Sequence, residues 1–286
     1  MPIFAVLLVL SSAIIHAVWN LQAKKVGGGF PFVLLTGIVS SILYLPVVVP
    51  LWYYFRPVLD AQDVLFIAIG AMIHLIYFML LMRGYKNGEL SVVYPLARGT
   101  GPALTMICAV SFFNETPTPG AVLGMILIGL GMFVLSAPAL KQGVKHLRRG
   151  IGYALLTGLL IATYTTFDKR IMVSIAILPL LYDWSASASR TVLLSPLLWR
   201  HRMEIGDVWR EHRNKVLFIC LVSPAGYILM LTAMQMAPVS SIAPLRETSI
   251  IFGAFLGIRM LGEGDGRRRL IAASVMAIGA LSIALW

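Results

Sequence analysis

Charged side chains are scarce in this sequence: Asp and Glu together number 12 in 286 residues, and the four charged types make up 12% against 59% hydrophobic. With a mean hydropathy of +0.87 there is too little polar surface to cover a water-soluble globule, which excludes that class. Cysteine is nearly missing. Cys108 and Cys220 both fall inside apolar runs and read as inert buried thiols, so no disulfide framework is implied. Also absent are a GxxxxGK(S/T) loop, HExxH, GxSxG and any Cys/His cluster with metal spacing. Direct ATP drive, catalysis, a bound metal and a cofactor are therefore not expected. Neither tail carries a basic residue, and the opening MPIFAVLLVL has no small-residue cleavage site, so the first apolar run is expected to be retained rather than removed as a signal peptide.

The formal net charge of +11 does not mark a nucleic-acid binder, because the basic residues sit between apolar runs rather than on one face or tail. They read as loop charges that orient helices in a bilayer, which is the expected surrounding partner. Spanning the hydrocarbon takes about 20 mainly apolar residues. Ten such runs are present, at about 3–23, 30–52, 62–82, 90–113, 119–139, 150–169, 178–199, 215–236, 239–261 and 268–286. The expected fold is an all-α integral membrane protein of ten transmembrane helices. Arg200 to Asn214, the longest polar connection, reads either as a short interfacial helix or as a solvated loop.

The two halves repeat. Ala17-Val-Trp-Asn-Leu-Gln-Ala-Lys-Lys25 matches Ala162-Thr-Tyr-Thr-Thr-Phe-Asp-Lys-Arg170, and Tyr77, Pro95 and Glu115 match Tyr227, Pro244 and Glu263 at nearly the same offset. The expected units are 1–140 and 150–286, joined by 141–149. Because five helices is an odd number, the second copy must enter from the opposite side, giving inverted repeats. These features, with the PLARG…FFNE and PLRET…LGE segments and a Trp-Asn…Lys first helix, resemble the drug/metabolite transporter superfamily of EamA type over essentially the whole chain. That resemblance implies a carrier in which helices one to four and six to nine surround a central path while five and ten lie outside. It leaves the substrate open among amino acids, nucleotide-sugars, sugar phosphates and drugs.

Sorted by alternate loops, all Lys and Arg outside the spans fall on one side except Arg56, Lys169 and Arg170. The positive-inside rule makes the richer side cytoplasmic and puts both termini outside a plasma (bacterial inner) membrane, unlike the cytoplasmic termini that the resemblance implies.

Charges within the runs are few, and each is informative. Pro95, Gly99, Gly101 and Pro102 are expected to break the fourth helix, and Pro244 the ninth. Arg98 and Arg246 follow these prolines nearly symmetrically and would bind a carboxylate, phosphate or phosphonate by forked hydrogen bonds. The alternative is structural pairing with Glu247, Asp168 or Asp183. In either case they should face the interior, since a charge facing lipid costs at least about 2.5 kcal/mol. Polar stripes add Trp19 and Asn20 on helix one, Tyr94 on helix four, Tyr164 on helix six, and Asp183 with Arg190 on helix seven as substrate-facing candidates. His16, His74, Asp168 and Glu247 are the candidates for proton coupling. Glu115 and Glu263 are each expected to complement the start of the next helix, and Thr118-Pro119 to cap helix five. Gly120 and Gly124 form a small-xxx-small face, used either within the monomer or in a homodimer.

The function expected is a secondary carrier of a small anionic or zwitterionic metabolite working by alternating access. An intramembrane enzyme or a non-transporting scaffold or receptor is the alternative.

Overall fold

The computed structural model describes residues 1–26, 30–87, 90–140, 147–175, 177–249, 252 and 266–285. In hydrocarbon there is no water to bond the backbone, so an apolar run satisfies its own N–H and C=O groups by coiling. Among the described residues this yields ten helices and no strand. They are α1 (Ile3–Val26), α2 (Phe30–Phe55), α3 (Ala61–Asn87), α4 (Leu90–Phe113), α5 (Pro119–Leu140), α6 (Leu147–Ser174), α7 (Pro179–Leu198), α8 (Arg202–Met236), α9 (Val239–Arg246) and α10 (Gly266–Leu285). Four of them, α1, α2, α3 and α8, are long and apolar enough to cross a membrane on length and composition. Large apolar side chains such as Ile42, Leu65, Phe133, Val192 and Ile278 point outward, as a lipid-facing surface requires.

Local sequence sets the helix ends. Thr118 Oγ1 accepts the Ala121 N–H at 3.1 Å, the cap that the Thr-Pro pair announces for α5. Asn114, with φ of 50°, turns the chain out of α4, a left-handed position that Asn tolerates. The α8 helix is bent at His212 (φ −129°, ψ 19°), which separates a polar segment from the apolar span and realises the helical reading of the long connection.

The expected break in α4 is corrected. Leu90–Phe113 is one helix, with Pro95, Gly99, Gly101 and Pro102 inside it. Gly101 serves close approach instead: a Cβ there would lie 3.0 Å from Ile161 Cβ, and one on Gly158 would lie 2.7 Å from Thr100 Cβ, so α4 and α6 press together through glycine on both sides. The ninth helix does stop after Pro244, giving way at Glu247 and Thr248 to a turn.

The helices of the two halves interleave. α1 packs on α8 as α6 packs on α3; α4 packs on α6 as α9 packs on α1; α2 packs on α8 as α7 packs on α3. α2 with α7, α4 with α9 and α5 with α10 are self-paired. Each of these contacts maps onto another, or onto itself, when the first five helices are exchanged for the last five. α5 and α10 have each other as principal partners, and beyond that reach α4 and α9. Their crossing consumes the small-residue face: a Cβ on Gly124 would lie 2.5 Å from the Gly279 carbonyl oxygen, and one on Gly279 would lie 2.8 Å from that of Gly124.

Gly279→Leu should therefore force α5 and α10 apart and lower stability by about 1–3 kcal/mol, read as a lower unfolding midpoint in detergent. Gly129→Ala, where nothing lies within 4 Å of an added Cβ, should stay within about 0.5 kcal/mol of the parent. Equal midpoints for the two variants would contradict the crossing.

Candidate functional site

Where α4 meets α9, two guanidiniums share one carboxylate. Arg98 and Arg246 are each 6% exposed and Glu247 is 0% exposed, so all three charges are out of water. Arg98 Nη1 donates to both Glu247 oxygens, at 3.0 and 3.3 Å. The other terminal nitrogen, Nη2, donates to His16 Nε2 on α1; a guanidinium has donors only, so this ring nitrogen is the acceptor. Arg98 and Glu247 are 149 residues apart, the same offset that aligns Pro95 with Pro244. The pair thus joins equivalent positions of the two repeats, occupied by opposite charges.

Arg246 is less well served. Its Nε is 3.8 Å from Glu247 Oε1 and has no hydrogen-bond partner. Nη1 points to the thioether sulfur of Met230 at 3.0 Å, a weak acceptor, and Nη2 donates to the Tyr164 hydroxyl at 3.1 Å.

Tyr164 leads to a second cluster. Its ring centroid lies 4.3 Å from that of His74 and 5.2 Å from that of Tyr77, both on α3. His74 Nε2 is 3.0 Å from Asp168 Oδ2, and the fully buried Asp168 carboxylate also accepts from the Tyr182 hydroxyl at 2.5 Å and from the Tyr227 hydroxyl. With three donors, the carboxylate is satisfied without a basic side chain of the Arg or Lys type. His16, Arg98, Glu247, Arg246, Tyr164, His74 and Asp168 form one polar chain fed by α1, α3, α4, α6 and α9, with Tyr182 and Tyr227 closing it from α7 and α8.

Trp19 packs edge-on against His16, with centroids 5.1 Å apart. Asp183 is buried, but Arg190 donates within its own helix to Ser187 Oγ at 2.8 Å, and neither hydrogen-bonds to the arginine pair among the described residues. The side chains of Asn20, Tyr94 and Pro95, the surroundings of Gly99, and all of Glu263 lie outside what the structure describes.

Glu115 requires a correction. It accepts the N–H groups of Val239 and Ser240, at 3.0 Å each, so it complements the start of α9 and not that of α5. The positive turn at Asn114 carries it there, and Thr118 already caps α5. Lys169, a loop cation by the sequence reading, is buried and donates to the carbonyls of Met234 and Ala237 at 2.6 and 2.9 Å, closing the end of α8. Tyr182 and Met230 carry no sequence signal, because an apolar span does not mark a hydroxyl or a sulfur that faces a charge.

A family model described as the EamA-like transporter family matches the chain twice, over residues 3–137 and 148–285. An uncharacterized protein of Methanocaldococcus jannaschii, MJ1333.1, is 31% identical over 134 residues, which are 46% of this chain and 96% of that protein. That relative as a whole has about the size of one repeat. A solved crystal structure matches with a TM-score of 0.76 over 98% of this chain and 96% of its own at 17% identity, a likeness of fold alone.

Tyr182→Phe removes one donor from a buried carboxylate and should cost about 1–3 kcal/mol of stability. In a double-mutant cycle with Asp168→Asn, measured by unfolding midpoints, the double variant should lose less than the sum of the two single losses. Simple additivity would show that the contact is not energetically real.

Proposed function

The chain belongs to the EamA-like transporter family, and from that premise we propose that it is a secondary carrier of a small anionic or zwitterionic metabolite. The carrier works by alternating access at the interface of two inverted five-helix repeats, ten spans in all. One observation carries the reading: two guanidiniums sealed from water converge on a single carboxylate where the symmetry-related helices α4 and α9 meet. Buried charges are costly to keep, and a structural role alone would be filled as well by apolar packing. The reciprocal contacts between the halves favour a two-fold relation between the repeats. Arg98, Arg246 and Tyr164 receive the solute, with Trp19, Asn20, Tyr94, Asp183 and Arg190 as further candidates along the path. His16, His74, Asp168 and Glu247 are the groups through which proton coupling would run.

The protein lies in the plasma membrane with its basic loops in the cytoplasm and both termini outside.

A thermal-shift screen of organic acids, phosphorylated metabolites, phosphonates and amino acids identifies a solute for counterflow in proteoliposomes. Arg98→Ala and Arg246→Ala should each reduce that exchange at least tenfold while the protein still inserts, and Lys at either position should restore part of it if charge alone matters. Undiminished exchange in both variants would sink the anion site. In a cysteine-free background, Pro2→Cys should react with an impermeant maleimide from outside intact cells; protection there would reverse the orientation.

A further inference from the structure

The two arginines are unequal, and the difference bears on the valence of the cargo. Arg98 is engaged by Glu247 through both carboxylate oxygens and by the His16 ring. Arg246 has Glu247 only at 3.8 Å, leaves Nε without a partner and turns Nη1 to a sulfur. Among the described residues, two guanidiniums and one carboxylate leave this contact cluster with one positive charge in excess. Asp168 stands outside this cluster: it lies beyond the Tyr164 and His74 rings, hydrogen-bonds to His74, Tyr182 and Tyr227, and bonds to neither guanidinium among the described residues.

We infer that the site selects a monovalent organic anion, whose charged group binds Arg246 in place of the Met230 sulfur while Glu247 stays on Arg98 as a resident counter-ion. This rests on the carrier reading above and narrows it. A carboxylate supplies two oxygens to the guanidinium fork and brings the cluster to neutrality. A dianion would leave a buried negative charge uncompensated, and a zwitterion, neutral overall, would leave the cationic excess in place. The aromatic group that begins at Tyr164, 5.9 Å from the Arg246 guanidinium carbon, and continues through the His74 and Tyr77 rings packed against it suits an organic body.

The test holds the body constant and varies the charge. Equilibrium dialysis with protein in nanodiscs at neutral pH measures benzoate, terephthalate and phenylalanine as monoanion, dianion and zwitterion. Benzoate should bind at least tenfold more tightly than either of the others, and Arg246→Gln should abolish its binding. Glu247→Gln raises the excess to two charges and should invert the order in favour of terephthalate, whereas Glu247→Asp should keep the parent order. If Glu247→Gln does not fold, the ranking on the parent together with Arg246→Gln still decides. Terephthalate binding as tightly as benzoate, or an order unchanged in Glu247→Gln, overturns the valence rule and leaves the carrier reading standing. Binding of none of the three overturns the anion site itself.

Discussion

A carboxylate held between two guanidiniums, with all three side chains out of water, is the constraint on which the arrangement of helices depends. Neither Arg98 nor Glu247 could stay buried alone, since an unpaired charge away from water costs several kcal/mol. Their pairing therefore requires α4 and α9 to meet, and the His16 contact requires α1 to join them. Because Arg98 and Glu247 occupy equivalent positions of the two copies, the pair also breaks the symmetry of the repeat. A strictly duplicated chain would have put like charges opposite one another there. One copy keeps the cation and the other the anion, with the remaining cation one residue away at Arg246.

Much of this was legible in the residues, at the level of elements and of pattern. Apolar run length gave the helices, and the doubled spacing of tyrosine, proline and glutamate gave the repeat, because hydrocarbon imposes a narrow choice of backbone and the copies still share landmarks. Thr118-Pro119 gave a helix cap because that chemistry is local. Partner identity was another matter. Glu115 sits four residues before α5 yet bonds α9, and Lys169 sits beside an exposed Arg170 yet buries itself against the end of α8. Both depend on which helices come together, and no local signal carries that. The same holds for α4, where two prolines and two glycines resemble a hinge but the tight approach of α6 explains Gly101.

Several polar side chains in the helices bond across to a neighbouring helix. Ser12 on α1 donates to the Gly226 carbonyl on α8 at 2.6 Å, Tyr44 on α2 reaches the Leu221 carbonyl at 2.7 Å, and the Trp184 indole on α7 reaches the Ser41 carbonyl at 2.8 Å. Threonines in the spans mostly bond one turn back within their own helix, as Thr157 does to Tyr153 and Thr232 to Ile228. Polar residues thus divide into those that satisfy themselves locally and those that tie helices together. The second kind converges on the Arg98–Asp168 chain, whereas α5 and α10 meet through glycine and apolar contact with the Ser282 hydroxyl donating to the Gly120 carbonyl at 3.1 Å.

The junction between α8 and α9 has a mechanical side. Its final carbonyls are clasped by an ammonium arriving from α6, and its first amides by a carboxylate arriving from the far end of α4. Four helix termini are thereby bolted at one corner, so that none can slide along its axis without dragging the others. Axial sliding of any one of these helices has to break at least one of those four hydrogen bonds.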